Sequence, residues 1–236
     1  MKLSIITPVL NGERFIRKNI ESIAKIKIPH EHIIVEGGST DDTINILNEY
    51  DHLIVINQSE RNGMYGAIKQ GFDFAKGDII TWINCDDYVS PKDYSSMIDY
   101  MVKKDADFVY SNAFFDYINE NRIEVIKSSL LPKFFLKHGI FPFVQPSSAY
   151  KKEFYQKIGG LNPDFKIAGD LDLFVRMAND TASKFVRYPG KTVHFVKYGE
   201  SLGDNNIEKY NNEKKLIKLK TSNLLVKILL KLTRYL

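Results

Sequence analysis

The chain has 236 residues, 44% of them hydrophobic and 26% charged, with a formal net charge of +4. That balance excludes a disordered chain and a membrane-embedded one, and leaves a globular protein able to bury one sizeable core. The single cysteine, Cys85, excludes an internal disulfide and fits a reducing cytoplasm.

The charge is unevenly placed. Ile207–Leu236 carries +6, which leaves the body at −2. Met1-Lys2 runs straight into Leu3–Thr7, too short an apolar stretch for a signal-peptide core, and no stretch is long and apolar enough to span a bilayer. A cytoplasmic protein is expected.

Leu3–Thr7 is a β-rich run, and Glu13–Ala24 has apolar residues at 15, 16, 20 and 23, a helical spacing. His32–Val35 reads as the second strand. Ser39-Thr40-Asp41-Asp42 supplies N-capping chemistry for a helix from Asp42 to Tyr50. Leu53–Ile56 is the third strand, Met64–Ala75 a helix stopped near Lys76-Gly77, and Asp78–Asn84 the fourth strand. Pro91 opens a helix to Val102, and Phe108–Tyr110 adds a strand. Repeated units of this kind imply an α/β fold with a mostly parallel sheet and helices on both faces.

Beyond residue 110 the pattern changes. Phe114–Ile118 and Arg122–Ile126 around Asn119-Glu120-Asn121 read as a hairpin, and Leu131–Pro146 is irregular and aromatic-rich. A helix over Lys152–Ile158 ends in Gly159-Gly160, and another starts near Asp170. Phe185–Tyr188 and Thr192–Val196 are late strands, and the tail from Ile207 is helical.

The most telling stretch is Ile79–Asp87, an apolar strand ending in Asn84-Cys85-Asp86-Asp87. Unpaired carboxylates are costly to bury, so a pair at a strand exit should meet water, a cation or a charged ligand. Strand exits are where open α/β sheets bind ligands, and hard oxygen ligands there suit Mg²⁺ or Mn²⁺. A plain reading as solvated turn acids is the commoner case for such a pair alone. Two neighbouring carboxylates should raise the Cys85 thiol pKa, so it is filler rather than nucleophile.

Val35-Glu36-Gly37-Gly38-Ser39-Thr40-Asp41-Asp42-Thr43 ends the second strand. A turn plus a cap accounts for Ser39–Asp42 but not for Glu36, an acidic residue placed to accept from a ribose or base. Spacing for a Gly-x-Gly-x-x-Gly dinucleotide loop is missing. Thr7-Pro8 closes the first strand, where backbone groups can line a nucleotide. Asp170 and Asp172 both fall in the first turn of a helix, where an Asp is ordinarily a cap or dipole partner but can also act as a general base. His194 sits in a late strand, where a lone histidine is more often structural than a ligand.

These motifs resemble the family 2 glycosyltransferases of the GT-A fold. The resemblance covers Thr7-Pro8 with Asn11, the Val35–Thr43 run, Asn84–Asp87, Gln145-Pro146-Ser147-Ser148, Gly159-Gly160-Leu161 and Gly169–Leu173, from about residue 3 to 202. Within the family it is similar to enzymes that build bacterial surface polysaccharides.

The resemblance implies an inverting, metal-dependent glycosyltransferase acting on a nucleotide-diphospho-sugar. It makes residues 1–204 a GT-A domain, with a nucleotide-sugar half over 1–110 and an acceptor half over 111–204, followed by a basic tail over 205–236. It implies Asp170 as general base and Asp87 as direct ligand of Mn²⁺ or Mg²⁺, with Asp86 nearer the ribose or sugar. Thr7, Pro8, Glu36, Asp86 and Lys69 fall on the donor side; Gln145, Asp172 and His194 fall on the acceptor side. The implied donor is a UDP-sugar and the acceptor a glycan or lipid-linked sugar; nucleic acid is not expected as a partner. The chain departs from the family in that Glu36 replaces an Asp, Gly169 replaces the usual Glu, and Gly66 and Lys69 stand where relatives often carry Asp and Asn.

Two rivals differ in class. A nucleotidyltransferase would need a Gly-rich loop with a basic residue after the first strand, and Asn11-Gly12-Glu13-Arg14 is a poor substitute. A non-catalytic nucleotide- or glycan-binding module would bind donor without turnover. In the tail, Leu224, Leu225, Ile228, Leu229 and Leu232 can share one helix side, with Lys227, Lys231 and Arg234 on another. Such a helix suits peripheral contact with an anionic membrane, or packing on protein.

Overall fold

β1 (Leu3–Val9) is buried along its whole length, as expected of a strand paired on both edges and covered on both faces. The computed structural model describes residues 1–59, 62–199, 206–217, 219, 226, 228, 229 and 232. After β1 come α1 (Ile16–Ile23), β2 (His30–Glu36), α2 (Thr43–Leu47), β3 (Ile54–Asn57), α3 (Gly63–Phe74) and β4 (Ile79–Trp82). β5 (Tyr88–Val89), α4 (Pro91–Lys103), β6 (Phe108–Tyr117), β7 (Arg122–Ile126) and α5 (Pro132–Lys137) follow. A 3₁₀ turn over Gln145–Ser147 leads into β8 (Ser148–Lys151), α6 (Lys152–Lys157), α7 (Gly169–Asn179), β9 (Phe185–Lys197) and α8 (Ile207–Leu216).

The sheet order is β3-β2-β1-β4-β8-β6-β9-β5, with β7 paired to β6. β1 is parallel to β2 and β4, β2 to β3, and β6 to β9, while β8, β5 and β7 pair antiparallel. The result is a mixed sheet with its parallel half at the amino-terminal end. The chain steps outward from β1 through β2 to β3, then crosses back to place β4 on the other side of β1. That reversal opens a crevice at the carboxyl ends of β1 and β4.

Apolar cores lie on both faces. One joins Ile6, Val35, Phe72, Trp82, Phe108, Tyr150 and Phe174 beneath α3, α6 and α7. The other joins Leu3, Ile5, Ile23, Tyr94, Met97 and Val109 beneath α1 and α4. Each fully buried large side chain of this kind contributes about 1.5–3 kcal/mol.

The differences from the sequence expectation have local causes. α1 starts at Ile16 rather than Glu13, because the chain before it is spent on loop contacts: Gly12 N donates to Thr43 Oγ1 and Glu13 N to Asp41 Oδ2. Asp42 makes no side-chain cap to α2; Asp41 Oδ1 takes the Thr43 N–H and hydroxyl instead. β6 is one strand rather than two, and so is β9. Both sequence breaks are register shifts whose polar side chains pair inside, as in Ser111 Oγ with Thr192 Oγ1 at 2.7 Å. β5 and β8, too short for periodicity to reveal, are additional strands.

A candidate active site at the exits of β1, β2 and β4

The loops after β1 and β2 are laced to each other. Asn11, with φ of 53°, takes the Thr40 N–H on its Oδ1 and gives its own N–H to Ser39 Oγ. Asp42 N donates to Glu13 Oε2 in return. Inside this rim the Glu36 carboxylate accepts Gly38 N at 2.8 Å and Ser39 N at 2.6 Å. Burial pushes its carboxyl up, but the Ser39 hydroxyl together with these N–H donors outweighs burial and leaves it below the ordinary carboxylate range.

Thr7 and Lys69 fall elsewhere. Thr7 is fully buried, with its hydroxyl 2.9 Å from His32 Nε2, so any contact of Thr7 or the buried Pro8 with a ligand falls to the backbone. Lys69 Nζ is paired with Asp73 one turn along α3.

The turn after β4 is held from two sides. Asn19, which shares the buried face of α1 with Ile16, Ile20, Ser22 and Ile23, donates from Nδ2 to the carbonyls of Asn84 at 3.0 Å and Asp87 at 2.9 Å. Asp87 is 1% exposed and its Oδ1 accepts the Val196 N–H at 2.9 Å. Asp86 keeps partial access to solvent, and its Oδ2 accepts the Tyr198 hydroxyl at 3.0 Å. Burial raises the carboxyl pKa of both, and in Asp87 the charge of Asp86 adds to it. The same burial and carboxylates push the Cys85 thiol up, as its neighbours imply. Gln145 closes this corner by donating to the Trp82 carbonyl at 3.1 Å. Beside Tyr198 opens a cavity of about 440 Å³ lined by Tyr117, Asn119, Glu120 and Lys197.

This corner fits a hard divalent cation. Asp87 Oδ2 and Asn84 Oδ1 are buried with no hydrogen-bond partner among the described residues, and the charge of Asp86 raises the carboxyl pKa of Asp87 although Lys197 acts on both carboxylates from nearby. Among the described residues no three His, Cys, Asp or Glu cluster as a metal site. Further ligands would then come from donor phosphates and water. Within the pair each carboxylate spends one oxygen, Asp86 Oδ2 on Tyr198 and Asp87 Oδ1 on Val196, and Asp86 is the more exposed residue. Asp87 Oδ2 is the unpartnered oxygen of the pair.

Asp170 stands in the first turn of α7, partly accessible, its Oδ1 accepting the Leu171 N–H at 2.8 Å. Burial pushes its carboxyl up to about 6. Tyr65, in the first turn of α3, lies beside it, and α3 begins at the carboxyl end of β3. Asp170 is thereby at the same rim of the sheet as Glu36 and Asp86. The loop before it is fixed from α8, where Glu213 accepts the backbone N–H groups of Lys166, Ile167 and Ala168. Asp172 faces away, committed to Arg176 at 2.7 Å; Arg176 also donates to the carbonyls of Ile158 and Gly160.

His194 is stacked between Tyr88, at 4.3 Å between centroids, and Phe114, at 4.5 Å. Burial lowers its pKa, and it packs in the β5–β9–β6 corner rather than beside Asp170. Sequence reasoning missed Asn19, Tyr198 and Glu213. Of these only Asn19 left a signal, as a polar residue at helical spacing between Ile16, Ile20 and Ile23.

The tail is described only in part. Ile217 packs with Phe165, Ala168, Leu171 and Val175, so the start of the tail docks on the body. Leu224, Leu225, Lys227, Lys231 and Arg234 lie outside the described residues. No helix among the described residues is long and apolar enough to cross a membrane.

Comparison with known proteins matches Glycosyl transferase family 2 over residues 4–159. A poly(ribitol-phosphate) beta-glucosyltransferase of Bacillus spizizenii is 34% identical over 97 residues, 38% of this chain and 15% of that protein. This chain therefore spans only a small part of that relative. S. aureus TarS 1-349 in complex with UDP-GlcNAc superposes with a TM-score of 0.69 at 16% identity, covering 98% of this chain and 70% of that one. Mannosyltransferase PcManGT from Pyrobaculum calidifontis, in complex with GDP-Man and Mn2+, gives 0.66 at 16% identity, covering 99% and 69%. At these identities the likeness establishes a GT-A-type fold.

Proposed function

This chain belongs to glycosyl transferase family 2, and on that premise we propose that it moves a sugar, with inversion, from a nucleotide-diphospho-sugar to an acceptor hydroxyl. The acceptor is a glycan or lipid-linked sugar, and the pathway one of cell-surface polysaccharide synthesis at the inner membrane face. The observation that carries this reading is Asp170, a partly accessible carboxylate tuned to about 6 at the same sheet rim as the Asp86–Asp87 pair. A base ionised at neutral pH and held close to that range suits proton removal from a hydroxyl.

Asp170 takes the acceptor proton as the hydroxyl oxygen forms its bond to the anomeric carbon. The bond from that carbon to the diphosphate oxygen breaks, and the nucleoside diphosphate leaves with the electron pair. A bound Mn²⁺ or Mg²⁺ supplies charge neutralisation for that leaving diphosphate. The partly exposed Asp86 carboxylate would hold it together with Asp87, the latter through the unpartnered Oδ2. Glu36 and the backbone at Thr7-Pro8 line the nucleoside, and Gln145 borders the acceptor side. A UDP-sugar is the donor we favour, supported by the shared fold with a UDP-GlcNAc-bound transferase.

The test is a panel of UDP- and GDP-sugars with Mn²⁺, read first by thermal stabilisation and then by release of the nucleoside diphosphate. Stabilisation by one sugar nucleotide followed by its turnover supports the reading. Stabilisation without turnover against a range of glycan acceptors would favour a binding module instead.

A further inference from the structure

Gly169 is bare because another side chain occupies its space. A Cβ built there would lie 2.8 Å from Tyr65 Cδ2 and 2.9 Å from Cε2 and Cγ. The Tyr65 ring is 2% exposed and packed into the main core, so it has nowhere to retreat. Its hydroxyl donates to the Ile167 carbonyl at 3.1 Å, three residues before Asp170. It also sits beside the Asp170 carboxylate itself. Burial holds the phenol proton firmly, which keeps Tyr65 a donor.

We propose that Tyr65 is a positioning residue for Asp170: its ring fills the volume that Gly169 leaves, and its hydroxyl fixes the backbone and carboxylate of the base. The inference rests on the reading of Asp170 as the base. In a chain with no acidic residue at 169, the contact that orients the carboxylate comes from α3 of the donor half rather than from the preceding residue. A phenol can serve both protonation states, donating to the carboxylate or accepting from the protonated acid while it donates to Ile167. Among the described residues, Tyr210 and Glu213 of α8 also face this corner.

Tyr65→Phe keeps the ring against Gly169 and removes only the hydroxyl. With protein labelled at the Asp carboxyl carbons, and Asp170→Asn used to assign the signal, carbon NMR reads the Asp170 midpoint without any substrate. We expect a midpoint near 6 in the wild type, moving up by about half a pH unit in Tyr65→Phe as the donor is lost. Release of UDP from UDP-GlcNAc, or of GDP from GDP-mannose, should fall about tenfold in kcat with KM little changed. Gly169→Ala presses the same ring from the other side and should lower kcat comparably, non-additively with Tyr65→Phe. An unmoved midpoint with unchanged kcat, whatever happens to the melting temperature, would reduce Tyr65 to a core residue. Full turnover by Asp170→Asn would instead remove the base assignment, and the NMR midpoint would still report whether Tyr65 holds that carboxylate.

Discussion

The Asp87 carboxylate accepts the Val196 N–H at 2.9 Å and so ties the turn after β4 to the end of β9, whereas its neighbour Asp86 accepts from the Tyr198 hydroxyl at 3.0 Å. Both carboxylates are thus fastened to the end of β9 and its following residue through one oxygen each, Asp86 being the more exposed of the two. Asp86→Asn should remove most of the response to Mn²⁺ in a calorimetric titration with donor present. Asp87→Ala should cost about 1–3 kcal/mol of stability by stranding a buried N–H, while Asp87→Asn, which keeps an acceptor, should leave the fold intact. Undiminished Mn²⁺ affinity in Asp86→Asn would leave Asp87 as the sole direct ligand of the pair.

Arg176 joins Asp172 to the carbonyls that end α6. Removing its head group by Arg176→Met strands both carbonyls and should lower unfolding stability by about 2–3 kcal/mol. Asp172→Asn breaks only a partly exposed ion pair, so about 1 kcal/mol is expected, with transfer retained. Urea unfolding of the two variants checks the order. A larger loss from Asp172→Asn would mean that the carboxylate has a role beyond Arg176.

How far the sequence reveals this site depends on the range of the interactions. The alternation of strands and helices in the first hundred residues is a local pattern, and so is the strand exit into Asn84–Asp87; both are legible. Asp170 is legible as a first-turn acid, and only the family resemblance separates it from Asp172. Tyr198 and Glu213 are not legible, because each acts on a residue far away in the chain: Asp86 for one, the Lys166–Ala168 loop for the other. The joined strands β6 and β9 escaped for a related reason. Their polar interruptions look like turns until each is seen to pair across the sheet.

Glu213 gathers three backbone N–H groups just before α7. Those donors pull its carboxyl below the ordinary range despite burial, so it is charged at neutral pH. Glu213→Gln offers one neutral acceptor oxygen in place of two charged ones and should cost about 1–3 kcal/mol. Because that loop carries Asp170, kcat should fall while KM for the donor holds. Steady-state kinetics separate this from a uniform loss of folded protein; equal kcat in both forms would leave α8 with a stabilising role alone.

The raised pKa of Asp170 has a stability consequence of definite sign. Its carboxyl is pushed from 3.8 to about 6 by burial, so between those values the folded state binds more protons than the unfolded one and stability falls as pH rises. The penalty is absent below about 4 and complete above about 6. Asp170→Asn should therefore raise stability at pH 7.5 by on the order of 2 kcal/mol more than at pH 4. Melting curves at the two pH values measure it. A pH-independent effect would mean that the carboxyl titrates normally.

The central claim is that Asp170 removes the acceptor proton while the donor is held elsewhere. The direct measurement is steady-state release of nucleoside diphosphate by wild type, Asp170→Asn and Asp172→Asn, beside donor affinity by calorimetry. A general base contributes roughly 10²–10⁴-fold in rate. Asp170→Asn should lose about that factor with donor affinity nearly unchanged, and Asp172→Asn should stay active. An active Asp170→Asn beside a dead Asp172→Asn would contradict the account.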